Sequence, residues 1–128
     1  MRRAALLSLI VCLGACASAD AGRPSGIDGK VVSGPTCPVE RMPPDPGCTP
    51  RPLAATLRVH PAGKRAPVET VHSESNGRFS LRLAPGLYVV RPQSRRGSAF
   101  PRPASPRRVR VRAGRFTYIT ITYDTGIR

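Results

Sequence analysis

Asn76-Gly77-Arg78-Phe79-Ser80-Leu81-Arg82-Leu83-Ala84-Pro85-Gly86-Leu87-Tyr88-Val89-Val90 is the stretch on which the fold turns. Asn-Gly at its head is a strong turn signal, because both residues tolerate positive φ at little cost. Phe79, Leu81 and Leu83 alternate with Ser80 and Arg82, which marks a strand with one apolar and one polar face. Pro85-Gly86 supplies a second turn, with proline presetting φ and glycine taking the left-handed position. Tyr88 and Val90 then carry the apolar face of a second strand. The stretch therefore reads as a β-hairpin. Its period of two, with glycine and proline recurring, argues against a helix.

Outward from this stretch the same pattern repeats. Residues 27–33, centred on Val31 and Val32, form a first strand that ends at Gly34-Pro35. In residues 53–60, Leu53, Ala55, Leu57 and Val59 point in while Thr56, Arg58 and His60 point out. Residues 68–72 are a less regular strand. Residues 108–112 alternate Val in and Arg out. In residues 116–123, Thr117, Ile119, Ile121 and Tyr123 share one face, and Phe116, Tyr118, Thr120 and Thr122 the other. About seven short strands at near-regular spacing predict an all-β fold: a seven-stranded antiparallel sandwich without a long helix. With aromatics at 5% and no tryptophan, the core must rest on Val, Leu and Ile.

Two stretches break the pattern. Residues 35–52 hold Pro35, Pro38, Pro43, Pro44, Pro46, Pro50 and Pro52, a density that neither a helix nor a central strand survives. This segment is read as a long surface loop closed by a Cys37–Cys48 disulfide, with Glu40, Arg41 and Asp45 bracing it or meeting a partner. Residues 91–108 form the second irregular stretch. It carries five arginines after Arg91 and no acid, and Phe100 is expected to plug it to the core.

The first 15 residues read as a leader. Met1-Arg2-Arg3 is a positive start, and residues 4–13 are apolar but too short to span a bilayer. Leu13-Gly14-Ala15-Cys16 resembles a bacterial lipobox. That resemblance implies cleavage before Cys16 and acylation (palmitate or similar) of its sulfur, with two or three chains giving a stable anchor. The alternative is a cut after Ala19 that secretes the chain. The lipobox is preferred because it sits directly at the end of the apolar run. Cys12 falls within the leader under either cut. The expected organisation is a lipoprotein signal peptide over 1–15, a flexible tether over 16–25 and a domain over 26–128. Export to an oxidising compartment suits the disulfide of Cys37 and Cys48, the two cysteines of the body. There is no C-x-x-C motif, and His60 and His72 lack the spacing of a zinc site.

The formal net charge is +14. Loss of Arg2 and Arg3 with the leader leaves 19 basic residues against 7 acids. Such a balance favours anionic polymers or lipid headgroups as partners, without choosing among them. The candidate anion-binding residues are Arg95, Arg96, Arg102, Arg107, Arg108, Arg110 and Arg112, since loops and strands can present several guanidinium groups together. Nucleic acid is set aside as a partner, because the chain is read as exported and Phe100 is the sole aromatic of the loop.

Gly77-x-Phe79 followed by Leu83-Ala84-Pro85-Gly86-Leu87-Tyr88 resembles the core motif of the carboxypeptidase regulatory-like domains, which are transthyretin-like, Ig-like β-sandwiches. Ser75 and Asn76 stand where that family usually has an acid, with Glu74 just before. The resemblance implies a module with no chemistry of its own, accompanying enzymes or standing on cell surfaces. Transthyretin-like hydrolases share the fold, but their characteristic C-terminal motif is replaced here by Tyr123-Asp124-Thr125-Gly126-Ile127-Arg128. The expected function is therefore a non-catalytic, membrane-anchored cell-envelope module with a structural, adhesive or accessory role, using no cofactor and no metal. A binder of anionic envelope polymer is the first alternative. A small hydrolase using His60, His72, Glu69, Glu74 or Ser73 is the second, and no Gly-x-Ser-x-Gly elbow supports it.

Overall fold

The computed structural model describes residues 22–39, 41–64 and 69–128. The leader, Cys16, the alternative cut at Ala19, most of the tether, Glu40 and Val68 lie outside the described residues.

Eight strands follow one another among the described residues: β1 (Gly26–Gly34), β2 (Arg51–Pro52), β3 (Thr56–Pro61), β4 (Glu69–His72), β5 (Arg78–Arg82), β6 (Gly86–Pro92), β7 (Arg107–Val111) and β8 (Phe116–Asp124). They make two sheets packed as a sandwich. In the first, β1 lies centrally, with β8 along one side and β5 and β2 sharing the other. The second runs β4-β3-β6-β7. Inward side chains of both meet in one core: Ile27, Val31, Phe79, Ile119, Ile121 and Tyr123 from the first, Leu57, Val59, Val90, Val109 and Val111 from the second. Aliphatics dominate it, as the composition requires.

The expected all-β sandwich is borne out, and two details of strand pairing are revised. The sandwich is not wholly antiparallel, because β1 and β8 pair in parallel from Gly26↔Phe116 to Gly34↔Asp124. A parallel pair needs a long connection; here the whole intervening chain supplies it. Nor is the 76–90 stretch a hairpin. β5 pairs β1 in the first sheet, whereas β6 pairs β3 and β7 in the second. Leu83-Ala84-Pro85 carries the chain between layers. Gly86 already begins β6, and it is absent from the glycines of positive φ among the described residues. The alternation itself holds, with Phe79 and Val90 buried and Leu81, Leu83 and Tyr88 packed against the core. Tyr88 also donates its hydroxyl hydrogen to the Ala84 carbonyl at 2.7 Å, tying the crossing to the strand it feeds.

The Asn-Gly turn does more than reverse the chain. Gly77 has φ +80°, and Asn76 Oδ1 accepts from the Arg78 amide at 2.9 Å. The Gly77 carbonyl accepts from Val31 N at 2.7 Å, while Val31 O accepts from Leu53 N at 3.0 Å. Val31 lies where β5 pairing ends and β2 pairing begins, so the turn closes that gap in the β1 edge. A Cβ at position 77 would sit 2.3 Å from the Val31 carbonyl oxygen.

The Pro-rich loop holds one 3-10 turn, Pro46–Cys48, capped by Asp45, and ends in the two-residue edge strand β2. Cys37 and Cys48 are disulfide-bonded, with Cα atoms 5.3 Å apart. Phe100 is not a core plug: it is 42% exposed, and its ring presses on Gly126 and under the Arg102 guanidinium.

Candidate functional site

The outer face of the second sheet follows from the inward face. Leu57 and Val59 are buried, so Thr56, Arg58 and His60 of β3 turn to solvent. Val90 is buried, so Arg91 and Val89 turn the same way. Val109 and Val111 do this for Arg108 and Arg110. The register then sets neighbours: Arg58 lies directly opposite Arg91, Val89 opposite both His60 and Arg108, and Leu87 opposite Arg110. Arg95 and Arg96, just past β6, join Thr56, Arg58, Thr70 and Gln93 around a depression of about 640 Å³. No acid of the described residues faces this side, since Glu69 is in register with inward Val59.

Few of these cations are neutralised. Arg91 Nε donates to His60 Nε2 at 3.0 Å, and His60 Nδ1 lies 3.1 Å from the Pro61 carbonyl. The guanidinium groups of Arg58, Arg95, Arg96, Arg108 and Arg110 make no hydrogen bond or ion pair among the described residues. Such a face can accept phosphates or carboxylates through paired N–H donors.

The seven arginines singled out in the sequence therefore do not form one patch. Arg95, Arg96, Arg108 and Arg110 border the second sheet's outer face, and Arg112 lies exposed just past β7. Arg102 and Arg107 serve the free edge of β8 instead. Arg102 forms a backbone bridge with Asp124, and Arg107 donates to the Thr120 carbonyl at 3.3 Å. Arg58 and Arg91, at the centre of the face, are not among those seven. Arg58 stands between inward Leu57 and Val59, and Arg91 follows inward Val90, but only strand pairing sets the two arginines opposite each other.

The side chains considered for hydrolysis are dispersed or engaged. Ser73 is buried, donates to the Leu53 carbonyl and accepts from the Ala55 amide, each at 2.8 Å. His72 Nδ1 meets Thr56 Oγ1 at 2.9 Å. Glu74 lies by the first sheet, beside Arg78, Asp28 and Tyr118. No three of His, Cys, Asp and Glu gather as metal ligands among the described residues.

Two titratable groups at the end of β8 are shifted. Burial pushes the Tyr123 hydroxyl up, and the hydroxyl donates to the Gln93 carbonyl at 2.8 Å. Asp124 is pulled down to about 2, chiefly by the hydrogen-bonded Arg128 guanidinium, 2.9 Å away.

Comparison with known proteins gives a fold likeness. No family model and no curated protein sequence matches the chain. Among solved structures, the Bacillus anthracis TIE protein superposes with a TM-score of 0.52 at 12% identity over 80% of this chain. GBS52, the minor pilin of the Gram-positive pathogen Streptococcus agalactiae, does so with a TM-score of 0.55 at 14% identity, again over 80%. The chain spans 17% of the first and 45% of the second.

Proposed function

We propose that this chain is a non-catalytic β-sandwich module of the cell envelope, held at the membrane by lipid on Cys16, with a structural, adhesive or accessory binding role. The observation that carries the reading is the likeness of the sandwich to a domain-sized part of a minor pilin. The engagement of Ser73 by two backbone groups supports it, because a hydroxyl so held is not presented to a substrate. The finer assignment to the transthyretin-like carboxypeptidase regulatory-like domains rests on the Gly77-x-Phe79 and Leu83-to-Tyr88 motifs and on the corner that Tyr88 closes.

Cell fractionation with intact-mass measurement tests the anchor. The expected species lies in the membrane fraction, begins at Cys16, carries acyl mass and retains the disulfide. Cys16→Ser should leave the leader uncleaved. A soluble species beginning at Asp20 would replace the anchor with secretion. Hydrolysis abolished by changing His60 and His72 to Ala would overturn the non-catalytic reading.

A further inference from the structure

We infer that the outer face of the second sheet is a binding site for a linear polymer of phosphate groups without bases. The site deepens the accessory binding role proposed above and rests on the reading of the chain as an envelope module.

The second sheet breaks a local rule. Directly opposed residues on one face of an antiparallel pair have Cβ atoms about 5 Å apart, and like charges there are destabilising. Arg58 and Arg91 are such a pair, on the two central strands of the second sheet. The usual relief is an acid alongside, and none of the described residues provides one on this face. Arg108 and Arg110 extend the positive field toward the β7 edge, while Arg95 and Arg96 extend it beyond the end of β6. A sequence locally inconsistent with its own fold marks a functional site more often than an idle one. A bound polyanion supplies the missing charge.

Shape and composition narrow the ligand. Arg58, Arg95 and Arg96 converge on a depression, with Thr56 and Thr70 at its wall. A strand-like polymer can place anionic groups into it and along the sheet, whereas a planar bilayer meets only the rim. Nucleic-acid platforms stack bases on aromatic rings. Here the exposed rings lie off this face: Tyr118 belongs to the opposite sheet, Phe100 packs by Gly126 past the end of β8, and Tyr88 turns to the core. The face therefore offers phosphate contacts and no base contacts.

The test titrates the exported protein, at several salt concentrations, with labelled long-chain inorganic polyphosphate, with single-stranded DNA and with phosphatidylglycerol vesicles. Polyphosphate should bind at low salt, with affinity falling linearly in log–log form. Arg58→Gln/Arg91→Gln should flatten that slope by about 1.4, the loss of two phosphate contacts. Arg78→Gln/Arg82→Gln removes equal charge from the first sheet's outer face and should leave the slope near wild type. Equal losses in the two pairs would reduce the effect to net charge and overturn the site, as would absence of binding at low salt. Preference for DNA overturns the base-free assignment; preference for vesicles overturns the polymer. Arg58→Gln alone should raise the melting temperature by about 1–5 °C at low salt, with the gain vanishing at high salt. No gain would remove the argument from opposed charges. Fractionation reads the anchor separately: a secreted chain that binds leaves the site standing, and an anchored chain that does not bind removes the site alone.

Discussion

The two sheets bury the same kind of residue and expose different chemistry. The first sheet's outer face mixes signs: Asp28 accepts from Ser80 at 2.6 Å, with Glu74, Arg78 and Tyr118 nearby. The second sheet's outer face is cationic, with no acid among its described residues. They also differ in how closely their backbones approach. In the first sheet, a Cβ at Gly29 would lie 2.3 Å from the Ile119 carbonyl oxygen and 2.6 Å from the Phe79 ring. Phe79 fills the space a side chain at position 29 would take. The first sheet is thus fastened by contact that leaves no room for variation, while the second leaves long side chains free on its surface. Under the proposed reading, holding and binding are divided between two faces of one small domain.

The largest expected effect comes from breaking the tight sheet. Gly29→Val should cost about 2–3 kcal/mol in urea unfolding, the upper part of the range for overpacking a core. A loss near zero would show that the close approach is not real. Ser73→Ala probes the joint between the layers, since Ser73 follows β4 and holds the segment between β2 and β3. Removing its hydroxyl strands the Ala55 amide and should cost about 1–3 kcal/mol. Tyr123→Phe, which loses the reach from β8 to Gln93 beyond β6, should cost about 1 kcal/mol. An unchanged midpoint in either variant would place the tie between sheets elsewhere.

The smallest effect is electrostatic and confined to the first sheet. Asp124 is depressed to about 2 by Arg128 and the Gly126 amide. A depressed carboxylate favours the folded state above its unfolded pKa of 3.8 and gives up that contribution as pH falls toward 2. The pair is exposed, so the stability change should be slight. Side-chain NMR titration reads it directly: Arg128→Gln should move the Asp124 midpoint up toward the ordinary carboxylate range. An unmoved midpoint would assign the depression to the backbone amide.

Much of this architecture is legible in residue order. The inward positions of β3, β7 and β8 follow from alternation, because a strand places successive side chains on opposite faces. The disulfide follows from two cysteines eleven positions apart in a proline-rich loop. The hairpin expectation failed for a definable reason. Alternation reports which face is apolar but not which sheet receives it, and β5 and β6 both turn their apolar faces to the same core from opposite layers. The candidate site failed in part for a related reason. Arg108 and Arg110 stand out as a run, whereas Arg58 and Arg91 are 33 residues apart and become neighbours only through pairing.

Local order, then, determined what depends on one residue and its near neighbours: strand periodicity, the turn at Gly77, proline-rich breaks, the leader pattern and the net charge. Tertiary structure decided what depends on distant segments meeting. It set β1 parallel to β8, sent β5 and β6 to different layers, and brought Arg58 opposite Arg91. The physical reason is that backbone hydrogen bonding in a sheet is indifferent to side-chain identity. Register and partner are chosen by the closing of the whole core, so the charge pattern of a face emerges only once the sandwich has formed.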